Sequence, residues 1–74
     1  MMEKNYILAK ISENVRRERL SQKYSQEKLA EKAGITQKYL NMIENTKANP
    51  SSVVIANLCE ALDIDANTIF NFSE

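Results

Sequence analysis

Apolar residues recur every three to four positions through most of this chain, which is the spacing of one face of an α-helix. The first such face predicts a helix that ends near residues 21–23, with residues 1–6 either frayed or part of it. A later helix should open at Pro50 and Ser51, because proline suits a first helical turn and serine suits a cap. The apolar positions of these two faces are Leu8, Ile11 and Val15, then Ile55, Leu58, Cys59 and Leu62.

Between these two helices, residues 25–45 predict two short helices joined by a tight turn. Ser25 is a candidate N-cap for the first of them. Gly34, the only glycine, falls where that helix should stop, because glycine takes the left-handed conformation without a steric penalty. Thr36 can then cap the second helix. Helix, short turn and helix is the arrangement that presents a second helix to the major groove of DNA.

This stretch also resembles a known family. Residues SQEKLAEKAGITQKYLNMIEN look like the helix-turn-helix of the Cro/cI-type phage repressors, a group that includes the xenobiotic-response-element regulators. The resemblance continues into NPSSVVIANLCEALDI, similar to the family's fourth helix, and the first helix, ISENVRRERLSQKY, also fits. It implies an all-α, compact five-helix, lambda-repressor-like DNA-binding domain over residues 1–74. One departure is Thr46, where many members carry Gly after the Glu-Asn pair.

The resemblance implies that one face of the third helix reads bases. Gln37, Lys38 and Asn41 would face the groove, with Met42 at the position below them. The amide of Gln37 matches adenine, whereas Lys38 suits guanine O6/N7 or a phosphate. Asn41 lies one turn on from Gln37, which places both on one face. Met42 would touch a thymine methyl or simply pack. The alternative for the whole face is that it is only solvated.

Five residues are expected at DNA phosphates. The resemblance implies a phosphate contact for Gln26, which backbone N–H groups at the helix N-terminus would assist. For Ser25 the alternative is a cap alone, for Gln26 it is a merely capping or solvated side chain, and for Tyr39 it is packing. The loop after the third helix is a second clamp on the backbone in the family, which assigns Asn45 and Lys47 to phosphate. The alternative for Lys47 is a plain surface lysine.

An ion pair between the first and third helices is a further implication of the resemblance. Arg19 follows Val15 by four residues and so lies on the inner edge of the first apolar face. In the family, an Arg and a Glu at the positions of Arg19 and Glu44 form a buried or half-buried structural pair. The competing interpretation is that Arg19 contacts phosphate.

Charge is distributed unevenly, although the net charge is zero. All ten Lys and Arg residues lie in residues 1–49, which carry a net charge of +4, while residues 50–74 carry −4. A field that steers a polyanion is local, so the asymmetry favours nucleic-acid binding by the basic part of the chain. The alternative is that two solvated faces merely differ in sign.

The C-terminal region, residues 62–74, is a candidate dimerisation region. Asp65 can cap a fifth, short helix at residues 66–72. In the family this helix and its flanking loops often form a symmetric dimer interface. A chain this small cannot bury every apolar residue well, so a homodimer is expected; the alternative is that these residues complete a monomeric core. The exposed apolar candidates are Ile64, Ile69, Phe70 and Phe72.

Composition argues against an enzyme. The chain has no histidine for nucleophilic or zinc chemistry, and one glycine cannot make a Gly-rich phosphate loop. The single Cys59 cannot form an internal disulfide and is better explained as a small core residue, which fits a reducing cytoplasm. No signal peptide, membrane span, metal, cofactor or small-molecule ligand is predicted.

The sequence therefore predicts a transcriptional regulator that binds a palindromic operator as a homodimer, with its third helix in the major groove of double-stranded DNA. A repressor or a restriction–modification or mobile-element controller fits best. Acidic residues near the third helix can touch RNA polymerase in the family, so activation stays open. The alternative function is a protein-interaction module, such as an antitoxin, that binds DNA weakly.

Overall fold

Five α-helices form the fold of residues 1–73, the part of the chain that the computed structural model describes. The predicted all-α, five-helix architecture is confirmed, and the described residues contain no strand. None of the helices in residues 1–73 combines the length and the hydropathy that a membrane span requires. The helices are α1 (Lys4–Ser21), α2 (Gln26–Ala33), α3 (Gln37–Glu44), α4 (Ser52–Leu62) and α5 (Ala66–Ile69).

A side-chain oxygen caps the start of every one of these helices. In each case it accepts a hydrogen bond from a backbone N–H of the first turn, which has no partner within the helix. The caps of α2 to α5 are the four that the sequence predicts. Glu3, which caps α1 through Asn5 N and Tyr6 N, is not foreseen. The capping residues are Glu3, Ser25, Thr36, Ser51 and Asp65.

The first four helices end in the same way, with a residue in the left-handed conformation. At the end of α3, for example, Thr46 N donates to Ile43 O at 3.2 Å and Lys47 N donates to Met42 O at 2.8 Å. These paired bonds are the Schellman motif, which places a left-handed residue just after the helix. Three of the four residues carry a side chain, including Thr46 at the family's glycine position. Their φ angles are 60° at Lys23, 72° at Gly34, 62° at Thr46 and 56° at Asp63.

The core lies where α1, α2, α3, α4 and α5 meet, and every helix contributes to it. The predicted apolar faces of α1 and α4 are buried, except that Leu8 is only half-buried. The buried apolar residues are Ile11, Val15, Leu29, Ala30, Ala33, Leu40, Ile43, Ile55, Leu58, Cys59, Leu62 and Ile69.

The end of α5 differs from the prediction. The helix stops at Ile69 instead of Phe72. The reason is Asn14, a buried residue of α1 whose Nδ2 donates to Ile69 O and to Asn71 O, both at 2.8 Å. These bonds occupy carbonyls at and just after the end of α5 and hold residues 69–71 against α1. Tyr6 Oη adds a bond to Phe72 O at 2.9 Å.

The prediction that Ile69 is exposed is wrong. Its side chain is wholly buried, because the Asn14 bonds draw α5 against α1 and α4. Phe70 is 44% exposed, while Ile64 and Phe72 are half-buried. The rings of Phe70 and Phe72 meet edge to face, with centroids 6.4 Å apart. The last residue of the predicted dimerisation region, Glu74, lies outside the described residues.

Candidate nucleic-acid interface

Helix α3 is divided into a buried apolar face and an exposed polar face. Leu40 and Ile43 lie in the core and fix the rotation of the helix about its axis. This leaves Gln37, Lys38 and Asn41 exposed on the outside. The helix therefore offers two amides and one ammonium group together, which are the donors and acceptors that suit base edges. Met42 is half-buried at the border of this face.

The position of α3 relative to α1 is held by an ion pair. Arg19 Nε lies 2.8 Å from Glu44 Oε2, and Arg19 Nη2 lies 2.9 Å from Glu44 Oε1. A third guanidinium nitrogen, Nη1, donates to Tyr24 O at 2.8 Å, just before α2. The side chains of Arg19 and Glu44 are only 10% and 2% exposed. A planar fork on a carboxylate fixes both distance and orientation, so one buried arginine joins α1, α3 and the turn before α2.

Gln26, the first residue of α2, has its side chain turned toward this ion pair. Gln26 Nε2 donates to Glu44 Oε1 at 3.1 Å. Gln26 Oε1 in turn accepts a hydrogen bond from Asn41 Nδ2 at 3.3 Å. No local sequence signal reveals this arrangement, because the partners are 18 and 15 residues away from Gln26.

A polar pocket of about 210 Å³ forms around these side chains, between the start of α2 and the end of α3. Arg19 and Glu44 neutralise each other in the lining, so Arg16 gives the pocket its net positive charge, which is the sign required to receive a phosphate. No role is predicted for Arg16 from the sequence, although Arg16 lies on the polar side of α1 and within residues 1–49, which carry the positive net charge. The lining residues are Arg16, Arg19, Gln26, Asn41, Glu44 and Asn45.

The remaining phosphate candidates surround α3. Ser25 Oγ accepts from Lys28 N at 3.0 Å, so it caps α2, and it is exposed. Tyr39 is half-buried and packs against the core. Asn45 Nδ2 donates to Asn41 O at 2.8 Å, and Lys47 is exposed on the loop after the helix.

Residues 1–73 offer few groups for metal binding or nucleophilic chemistry. Residues 1–73 contain no cluster of three or more His, Cys, Asp or Glu side chains that could hold a metal ion. Cys59 is a buried free cysteine. Burial raises the pKa of its thiol above the ordinary value of 9.0, and the nearby carboxylate of Asp65 raises it further. A thiol of this kind is a poor nucleophile at neutral pH.

The sequence has recognisable relatives. Residues 15–69 match the model of the helix-turn-helix family. The HTH-type transcriptional regulator SinR of Bacillus licheniformis is 36% identical over 62 residues, which are 82% of this chain and 56% of that regulator. The chain thus spans about half the length of the SinR regulators it matches.

Solved structures share the fold. The restriction-modification controller protein C.AhdI from Aeromonas hydrophila has a TM-score of 0.83 and 35% identity, over 85% of this chain and 96% of that one. The hypothetical transcription factor NHTF from Neisseria has a TM-score of 0.83 and 26% identity, over 86% of this chain and 74% of that one.

Proposed function

Since the chain belongs to the helix-turn-helix family, in its Cro/cI-type group, we propose that it is a sequence-specific DNA-binding transcriptional regulator. The observation that carries the proposal is the exposed polar face of α3, with Gln37, Lys38 and Asn41 held outward by a buried apolar face. In this proposal α3 enters the major groove and these side chains, with Met42 at the edge, contact bases.

Phosphate contacts flank the recognition helix in this proposal. The start of α2 supplies Ser25 and Gln26, and free backbone N–H groups at that helix end favour an anion. Tyr39 contributes its hydroxyl, and the loop after α3 supplies Asn45 and Lys47. Together these groups lie on two sides of α3, which is what fixing its depth in the groove requires.

We propose a homodimer on a palindromic operator, with half-sites about one helical turn apart. Exposed apolar surface supports an interface at the C-terminal end, where Phe70 is 44% exposed. Phe70 lines an apolar groove of about 480 Å³ with Met1, Met2 and Pro50. Ile64 and Phe72 lie half-buried in the same C-terminal region and complete the proposed interface.

The regulatory effect depends on the operator. An operator that overlaps a promoter gives repression, whereas one just upstream brings the protein beside RNA polymerase and gives activation. C.AhdI is a restriction-modification controller protein. Control of a restriction–modification system or of a mobile element fits a small regulator of this fold. The proposed location is the cytoplasm, where the DNA lies.

The test is selection of bound duplexes from a random DNA library at near-physiological salt, followed by sequencing. Enrichment of a two-fold symmetric site is the expected result. Changing Gln37 and Lys38 together to Ala should abolish or alter the enriched motif. The matched control changes Lys32 and Asn57, an exposed lysine and an exposed amide outside α3, and should leave the motif unchanged.

A second candidate function is a protein-interaction module, which the apolar groove beside Phe70 favours. Folded protein that enriches no sequence would refute specific DNA binding and leave this candidate. A single enriched half-site would refute the homodimer alone.

A further inference from the structure

Hydrogen bonds connect Arg19 to Glu44, Glu44 to Gln26, and Gln26 to Asn41. The charge of the first pair determines which atom donates in each later bond. Glu44 forms a salt bridge with the guanidinium of Arg19 at 2.8 Å, and a carboxylate paired with a cation in this way only accepts hydrogen bonds. Gln26 must therefore turn its NH2 group, not its oxygen, toward Glu44 Oε1, and the distance there is 3.1 Å. The orientation of the Gln26 amide follows from a buried charge.

The orientation of the Gln26 amide determines the orientation of the Asn41 amide. With Nε2 directed at Glu44, Gln26 presents Oε1 on its other side, and Asn41 must donate to it through Nδ2, at 3.3 Å. Asn41 Oδ1 then has no hydrogen-bond partner within residues 1–73, and the residue is exposed on the polar face of α3.

The reverse orientation is disfavoured at both amides. If the Asn41 amide turned over, its oxygen would face Gln26 Oε1, and two acceptors would oppose each other. If Gln26 turned over as well, its oxygen would face the Glu44 carboxylate. Either exchange replaces a hydrogen bond by a repulsive contact, so the three side chains hold one arrangement.

We propose that Gln26 is a positioning residue for base recognition, which holds Asn41 so that its Oδ1 faces the major groove and selects a base with an exocyclic amino group. The inference rests on the proposed function. Adenine N6 and cytosine N4 carry such a group in the major groove, whereas thymine O4 and guanine O6 are acceptors. Asn41 Nδ2 retains a second N–H, which can reach adenine N7 but finds no acceptor on cytosine.

The experiment measures discrimination between bases, not affinity alone. Duplexes carrying the selected operator are changed, one position of each half-site at a time, to all four base pairs, and bound in competition. The wild-type protein should prefer an amino base over a keto base at one position by about tenfold or more, as expected for a good side-chain–base pair. Preference for adenine over cytosine there identifies the two-bond contact, whereas equal binding of the two bases identifies contact through Oδ1 alone.

Three variants separate positioning from other roles. Asn41→Ala should reduce the preference at that position to about threefold or less, because the reading group is gone. Gln26→Leu, of similar size but without a donor or acceptor, should do the same while Asn41 is still present. Lys47→Ala, which removes a proposed phosphate contact, should weaken binding to all the duplexes alike and leave the ratio intact. Gln26→Met is the substitute if Gln26→Leu does not fold.

The outcomes are distinct. Loss of preference in Asn41→Ala but not in folded Gln26→Leu would overturn the positioning role. An unchanged preference in Asn41→Ala would overturn the reading role. A double change of Gln26 and Asn41 should lose no more preference than either single change, since both act through one contact. If the wild-type protein selects no sequence, the proposed function fails and this inference fails with it; specific binding with unchanged ratios overturns only this inference.

Discussion

The guanidinium of Arg19 donates two hydrogen bonds to the carboxylate of Glu44, at 2.8 and 2.9 Å, and so joins the end of α1 to the last residue of α3. Both side chains are nearly removed from water. Desolvation makes such a pair only weakly stabilising overall, but losing one partner leaves the other charge buried alone.

Either Arg19→Ala or Glu44→Ala should therefore lower the free energy of unfolding by about 3–5 kcal/mol. Urea denaturation followed by circular dichroism measures this change. Lys28→Ala is the matched control, because Lys28 and Glu31 form an exposed pair at 3.4 Å with side chains 55% and 74% exposed. Exposed pairs contribute about 0–1 kcal/mol. Equal losses in the buried and exposed variants would contradict the role assigned to burial.

Gly34→Ala should destabilise the protein by about 1 kcal/mol. The reason is its left-handed backbone, with φ of 72°, and not crowding, because a Cβ placed there has no heavy atom within 4 Å. The measurement is the same denaturation midpoint. Gly34→Asn is the control and should lose less, since asparagine tolerates this conformation better than alanine. A larger loss for Asn than for Ala would argue against backbone strain.

Asp63→Gly should raise stability by about 0.5–1 kcal/mol. Asp63 is left-handed, with φ of 56°. It also places a negative charge at the C-terminal end of α4, where the helix dipole is unfavourable to it. Asp63→Asn removes the charge alone and should give a smaller gain, which thermal melting can resolve. A glycine variant less stable than wild type would contradict this account.

Alkaline pH should destabilise the fold through Cys59. Burial raises the pKa of the folded thiol above 9.0, so the folded state holds the proton more strongly than the unfolded state. Stability is then full below the unfolded pKa and falls as the pH rises through the folded pKa. Cys59→Ala should lose stability less steeply above pH 9.0 than the wild type does. Parallel curves for the two proteins between neutral and alkaline pH would show that the thiol is not responsible.

Affinity for DNA should fall steeply as salt rises, because Lys and Arg side chains displace counterions from phosphates. Lys47→Ala should reduce the slope of log affinity against log salt by about 1. Lys32→Ala, at the far end of α2, is the control and should leave the slope unchanged. An unaltered slope in Lys47→Ala would remove that residue from the phosphate contacts.

Much of the fold can be predicted from local sequence. Capping chemistry predicts the N-caps at Ser25, Thr36 and Ser51. Backbone sterics predict that a helix stops at Gly34. These features depend on residues within one helical turn. The family resemblance supplies the order of the helices.

Features that depend on distant contacts were not predictable in this way. A helix as short as α5 shows no periodicity, so the sequence could not distinguish buried Ile69 from exposed Phe70. The decisive contact comes from Asn14, which is 55 residues away. The inward turn of Gln26 has the same origin, since Glu44 and Asn41 come beside it only when α2 and α3 pack.

The left-handed residues that end α1, α3 and α4 affect more than helix length. Lys23 and Asp63 each hold a conformation that glycine would adopt more easily, so stability could be gained at two places outside the core, whereas the Thr46 hydroxyl donates a hydrogen bond to Ser12 Oγ at 3.1 Å that glycine would lose. The fraction of molecules unfolded at any moment governs how quickly proteases remove a protein in the cell. Substitutions at these ends would therefore alter the lifetime and copy number of the protein while its recognition helix stays unchanged.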